Sequence, residues 1–450
     1  MFASIGPGSR HSRRPPGPKQ NLSFVISIDR HFESKVYTSG STVSGKVTVE
    51  SHSDLTFERV EVALIGTAST HMNVLLYSSY PSTQTFLRLD MPAPERAFGQ
   101  SCVLRAGRPE IIPFTFVVPF QLSSAACRYR NPAVHQHHLQ PPPTVGPWEH
   151  DDLFASQIQV DYSIRARVVL GRLDGVIAQP FEANRRIKVL PFFPTQPPLD
   201  VSREHALYHS IETKTIRQNF LSPSLGQLTA SLTQPTPIVL SIDRLLGSES
   251  SLTIDLQFMP KSKSILPPDT YVRSMHIRAA SYASLSHMTY LPDRQLPPEV
   301  MHNPVLSTFK SIKMSIIRSE TLPWAQPPGA LLIRDSIEQL ETTRNTQSLP
   351  HNHVLPSLNE VEMRNAGPDA EHTGYRAALL VSFALPACRQ NTYLPTFFSC
   401  LLCRVYSIHL TLGVEGYAST LNLTAPLQIA TASLGISPGD SPPSYVSNWN

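Results

Sequence analysis

From Ile158 to Leu170 the side chains alternate, with Ile158, Val160, Tyr162, Ile164, Ala166, Val168 and Leu170 on one side and Gln159, Asp161, Ser163, Arg165 and Arg167 on the other. Period two is the mark of a strand, because successive side chains of an extended chain point to opposite faces. So long a strand with one polar face belongs to an antiparallel sheet with one solvated side. The same grammar recurs. Phe24, Ile26 and Ile28 share a face; so do Val43, Gly45, Val47 and Val49, after the turn residues Ser39-Gly40-Ser41. Val60, Val62 and Leu64 follow, ending at Gly66, and residues 186–190 form a short closing strand. Ile112, Phe114, Phe116 and Val118 alternate around Pro113, which marks a sheet edge or a bulge. Further strands are expected at 238–242, 252–258, 275–279, 312–316, 375–385, 406–414 and 421–429.

Composition agrees with strands joined by proline-rich loops. The chain has 42 prolines in 450 residues, about twice ordinary usage, and proline breaks helix interiors. Four of them fall within Pro191–Asp200, which interrupts all periodicity and reads as a semi-rigid spacer between domains. The expected organisation is therefore all-β, with two antiparallel β-sandwich domains in tandem. Residues 1–20 form a disordered basic tail, 21–191 the first sandwich, 192–205 the hinge, 206–432 the second sandwich and 433–450 a flexible tail. One or two helical turns are expected at 203–215. Long loops are expected at 283–304 and 319–372, the latter holding a short helix near 331–340.

Net charge of +4 gives no argument for nucleic-acid binding. Five cysteines argue against a disulfide scaffold and fit a reducing compartment. The basic N-terminal residues are followed by no apolar stretch, so no secretory leader is expected, and the sequons at Asn21 and Asn422 are read as accidental. No run of residues is apolar enough for a membrane-spanning helix.

Catalytic signatures are not found. The sequence has neither a phosphate-cradling Gly-rich loop before Lys-Ser/Thr nor a Gly-x-Ser-x-Gly elbow. His205 and His209 have the four-residue spacing of a zinc helix but lack its glutamate. His135, His137 and His138 are read as surface-loop histidines, Cys400 and Cys403 as two small buried hydrophobes, and Asp151-Asp152 as a turn or cap. Neither a catalytic residue, a metal site nor a cofactor is expected.

The remaining motif is Pro442-Pro443-Ser444-Tyr445. Consecutive prolines hold a polyproline II ridge of low entropy, which the aromatic groove of a WW domain grips while the tyrosine fills an adjoining pocket. A chain of this composition shows such a pattern by chance about 0.1 times, so its weight rests on what it is attached to.

Tyr37 to Val47, with its turn before Val43-Ser-Gly45-Lys-Val47, and Val60 to Gly66 resemble the opening strands of an arrestin N-terminal domain. Leu104 to Pro119, Asp151 to Val169, Pro395 to Tyr406 and Thr424 to Ile429 resemble further arrestin segments, in order, across most of 21–432. With its Pro-Pro-x-Tyr peptide the chain resembles the α-arrestins of fungi. That resemblance implies a non-catalytic adaptor: Pro442, Pro443 and Tyr445 bind a WW-domain HECT-type ubiquitin ligase, and the body engages cytoplasmic regions of membrane transporters or receptors, which are ubiquitinated and endocytosed. It also implies a cytoplasmic protein recruited to plasma membrane or endosomes through its cargo. Ser441 and Ser444 flank the motif, where phosphate would alter local charge. The alternative is an arrestin-fold scaffold in vesicle sorting or signalling, without ligase recruitment.

Overall fold

The computed structural model describes residues 22–91, 102–146, 158–201, 208–293, 314–318, 359–364, 371–385 and 393–432, less short gaps within several of these spans. The expected tails at 1–20 and 433–450 and the expected helix near 331–340 lie outside the described residues. The fold is all-β: among the described residues the only α-helix is one of seven residues, Pro132–His138 (α1).

The first half contains β1 (Leu22–Ile28), β2 (Val36–Tyr37), β3 (Thr42–Ser51), β4 (Leu55–Thr56), β5 (Arg59–Val74), β6 (Ser78–Asp90), β7 (Val103–Leu104) and β8 (Glu110–Val117). After α1 come β9 (Ile158–Val169), β10 (Arg172–Leu173), β11 (Val176–Ile177) and β12 (Phe181–Val189). One sheet runs β1-β3-β8 and another β2-β12-β9-β5-β6. Their apolar sides share a single core. Val43, Val47 and Val49 of β3, with Ile112, Phe114 and Phe116 of β8, are buried together with Val160, Tyr162, Ile164, Ala166 and Val168 of β9. The register sets Val43 opposite Phe116 and Val47 opposite Ile112, and a slip of one residue would turn every one of these side chains to solvent. Pro113 sits on β8, the edge of its sheet, where a missing N–H does least harm.

The polar sides carry charge ladders. Arg167 faces Glu182 across the β9–β12 pair and bonds it at 2.9 Å, and Arg88 bonds Asp90 at 2.9 Å on β6. Such exposed pairs favour the register more than they add stability, at roughly 0–1 kcal/mol each.

Several expectations are corrected. The strand expected to end at Gly66 continues to Val74, with a register shift between Gly66 and Thr67 where the Phe86 ring packs over the missing side chain. The short strand at 186–190 begins at Phe181; small Ala183 and exposed Arg185 on the face of Ile187 and Val189 interrupt the apolar alternation. The helical turns expected at 203–215 are replaced over Ile211–Arg217 by a strand. The loop expected at 319–372 contains the strand Asn359–Arg364.

The second half comprises β13 (Ile211–Arg217), β14 (Ser224–Leu232), β15 (Ile238–Leu240), β16 (Ser250–Pro260), β17 (Thr270–Ser284), β18 (Met314–Arg318), β19 (Asn359–Arg364) and β20 (Glu371–Phe383). It ends with β21 (Phe397–Phe398), β22 (Leu402–Val414), β23 (Thr420–Leu427) and β24 (Ile429–Thr431). Here β13-β14-β16-β20-β19 form one sheet and β18-β17-β22-β21 another, with β23 also paired to β22. Leu228, Ile254, Leu256 and Phe258 are buried in one core with Ile277, Ile408, Leu410, Leu421 and Leu423.

Gly45 is required by contact. A Cβ there would lie 2.7 Å from Cζ of Phe114, the residue paired with it across the sheet, and closer still to the Ser27 carbonyl oxygen. Alanine is ordinarily the better strand residue, so the sign of a substitution is diagnostic. Gly45→Ala is expected to destabilise the chain by about 1–3 kcal/mol in urea unfolding; equal or higher stability would contradict this packing.

His409 on β22 gives a second test. It lies opposite His276, its Nε2 is 3.0 Å from Ser407 Oγ, and its Nδ1 is 3.4 Å from Thr424 Oγ1. Burial, then the charges of Arg278 and His276, push its pKa down to about 4 from 6.5. The unfolded chain therefore takes up a proton that the folded chain refuses. The resulting stability is complete above pH 6.5 and is lost as pH falls toward 4. His409→Gln should flatten the fall in stability across that window by about 3 kcal/mol; an unchanged pH profile would show that the ring is not held neutral.

Candidate functional site

The chemically dense region is the junction of the two halves, reached from both sides by irregular backbone. On one side, the spacer Pro191–Asp200 forms neither helix nor strand, and it is fastened rather than loose. Phe192 N–H donates to Ser39 Oγ at 3.1 Å, Phe193 N–H to Thr431 Oγ1 at 2.7 Å, Gln196 N–H to Gln428 Oε1 at 3.0 Å and Leu199 N–H to Gln234 Oε1 at 2.7 Å. The Thr431 hydroxyl in turn donates to the Pro191 carbonyl at 2.9 Å. Prolines supply four residues with no donor to satisfy, and side chains of both halves serve most of the rest.

On the other side, the segment that includes β21 stays paired to β22 while its side chains pack away from the second core. Leu394, Phe397, Cys400, Leu401 and Leu402 are buried in the core of the first half. The neighbouring Phe398, Cys403 and Val405 join Val134 of α1 with Tyr282, Met288 and Leu291 in a smaller cluster. The helix receiving them is set by its ends. Pro132 opens it, and the Asn131 side chain accepts from the N–H of Ala133 at 3.0 Å and of Val134 at 3.4 Å. Its last turn carries His135, His137 and His138.

Those histidines were expected in a surface loop, which is corrected in position and in exposure. His137 stacks edge-on against Phe398 with centroids 5.5 Å apart, and His138 is only 1 % exposed. The His138 ring meets two thiols: Nδ1 is 3.5 Å from Cys127 Sγ and 3.7 Å from Cys400 Sγ. Cys127 and Cys400 are themselves 3 % and 6 % exposed. Burial, then the neighbouring Cys127, push the Cys400 thiol up to about 12, and burial raises Cys403 as well. As neutral thiols these are weak nucleophiles.

Beside the cluster lies a cavity of about 40 Å³ lined by His137, Phe193, Tyr208, Asp293, Phe398 and Gln428 among others. A site for an ordinary small-molecule ligand takes roughly 300–1,000 Å³, so this one suits a few waters. Burial and then the Asp293 carboxylate push the Tyr208 hydroxyl upward.

The residues singled out from sequence are distributed as follows. Pro442, Pro443, Tyr445, Ser441 and Ser444 lie outside the described residues, as do His205, Asp151 and Asp152. His209 is in backbone pairing with Thr424, its N–H donating to the Thr424 carbonyl at 3.1 Å, and its strand context ends the zinc-helix comparison. Cys400 and Cys403 are buried, as read. What sequence reading missed is the meeting of Cys127, His138 and Cys400; Cys127 to His138 spans eleven positions, but nothing local ties either to Cys400.

Thr431 tests the junction. Thr431→Val keeps shape but removes the acceptor for Phe193 and the donor to Pro191, both buried. We expect a loss of about 1–3 kcal/mol and faster hydrogen exchange at the Phe193 amide; unchanged exchange there would contradict the fastening.

No protein-family model matches this chain, and no curated protein matches it.

Proposed function

We propose that the chain is a non-catalytic adaptor of the α-arrestin kind. Its sheet pairs are two arrestin-type sandwiches in tandem, Pro442-Pro443-Ser444-Tyr445 recruits a WW-domain HECT-type ubiquitin ligase, and the body engages cytoplasmic regions of a membrane transporter or receptor. The adaptor acts by effective concentration, holding the ligase near lysines of the cargo, and needs no chemistry of its own. It works from the cytoplasm, reaching plasma membrane or endosomes through the cargo.

The observation that supports this reading best is how near the motif lies to the last described strand. The Ala432 N–H donates to the Leu240 carbonyl at 3.0 Å, immediately after β24 pairs with β15. Pro442 follows ten residues later, a span that extends to ~35 Å at most. A lead of that length is short enough to keep a bound ligase close to the body. The long strands also offer edges and exposed faces, which suits a binding role. Only nine of the 38 basic residues are lysine, so the adaptor itself presents few acceptors for ubiquitin.

A fluorescent peptide spanning 437–450, titrated with WW domains of a HECT-type ligase, tests the docking step. Binding is expected, with Tyr445→Ala and Pro443→Ala each weakening it at least tenfold, or ~1.4 kcal/mol. A peptide that binds none of these domains, or binds equally well without Tyr445, refutes ligase recruitment by this motif.

A further inference from the structure

We propose that Cys127, His138 and Cys400 bind one soft divalent cation, with zinc as the best match, and that this ion fastens the two halves of the chain. Their ligand atoms all lie within 4.8 Å of one another, and all three residues are buried. Zn–S bonds of about 2.3 Å and Zn–N bonds of about 2.0–2.1 Å at tetrahedral angles place sulfur and nitrogen about 3.5–3.6 Å apart. The two S···Nδ1 separations here, 3.5 and 3.7 Å, bracket that value.

The chemistry of the donors points the same way. An imidazole Nδ1 offers either one lone pair or one N–H, which serves one sulfur well and cannot serve two. Cys400 Sγ also lies 4.0 Å from the Ala126 carbonyl oxygen, and a cation between the three ligand atoms would take a lone pair from each. Binding releases one proton from each thiol to solvent, and a dication with two thiolates and a neutral imidazole carries no net charge. That balance suits a buried position, where an uncompensated charge is expensive. A monovalent copper ion would leave the same pocket with a negative charge. Three protein ligands leave the fourth position of the tetrahedron to a water molecule.

The ligands also stand on fixed supports. Cys127 follows the turn Ser124–Ala126, capped when Ser123 Oγ accepts from the Ala125 N–H at 3.4 Å, and His138 closes the capped helix α1. Cys400 sits in the tight connection from β21 to β22, where Ser399 N–H and Oγ both donate to the Leu402 carbonyl, at 2.9 and 2.8 Å. Gln84 from β6 donates to the Ala126 carbonyl at 3.1 Å, holding the residue next to Cys127 in place. Two ligands belong to the first half and one to the second. The ion would therefore close a loop of more than 260 residues, and the chain would gain rigidity across its junction.

The test is the metal content of the full chain purified without chelator, with Cys127→Ser, Cys400→Ser and, as a control outside the cluster, Cys102→Ser. About one zinc per chain is expected in the parent and in Cys102→Ser, with a tenfold or greater loss in the other two. Should those variants fail to fold, cobalt titrated into the zinc-stripped parent reads the site directly, through thiolate-to-cobalt absorption in the near ultraviolet and the strong visible bands of a tetrahedral ion. A folded parent that holds no zinc and gives no such spectrum overturns the proposal. So does a Cys127–Cys400 disulfide found by non-reducing mass spectrometry of the freshly purified chain, and so does zinc that survives both cysteine substitutions.

Discussion

Everything in the arrangement of this chain depends on one act of packing, the burial of Leu394, Phe397, Leu401 and Leu402 in a core otherwise built by residues some two hundred or more positions earlier. Each large apolar side chain removed from water contributes roughly 1.5–3 kcal/mol before losses of entropy. Four of them rival the net stability of an ordinary domain. The strands before and after this segment, β20 and β22, belong to the two sheets of the second half, so that half cannot shift without dragging its own connection from the first core. The spacer with Phe193 and Thr431 adds a second, hydrogen-bonded tie at the same junction. Both ties oppose separation of the two halves at the same place.

How much of this could be read from the residues follows from range. Where a strand is half-buried, local alternation reports it: β9 is buried on the face its sequence marks, and β3 and β8 pair by the residues that alternate in each. Where strands run across polar stretches the signal fades. Ile211–Arg217 reads Ile-Glu-Thr-Lys-Thr-Ile-Arg, with too few apolar residues for period two, and its edge position needs no more. The helix α1 hid behind prolines, although Asn131-Pro132 is the capping sequence with which a helix begins. Contacts between distant segments left no trace at all. Nothing near Cys400 announces His138, since their meeting is a property of the junction and not of either neighbourhood.

The proposed function divides labour between a stiff body and a short peptide. The sheets supply edges and exposed faces, with apolar side chains such as Ile111 on β8 and Leu380 on β20 standing in solvent, and the cargo surface is expected among such features. The peptide supplies ligase affinity through backbone geometry fixed in advance by two prolines. A single docking peptide gives modest affinity, so the complex would exchange readily and depend on cargo density for its lifetime. An ion at the junction, if the cysteine–histidine cluster holds one, would act on the first partner in this division and leave the second untouched.

The central claim is that ligase affinity resides wholly in the segment after Ala432 while the body carries cargo. Calorimetric titration of one WW domain with the full chain, with the chain ended at residue 432 and with the free peptide tests it most directly. Equal affinities for full chain and peptide are expected, with no binding by the shortened chain. Binding that persists without residues 433–450, or a full chain that binds far more tightly than its own peptide, would contradict it.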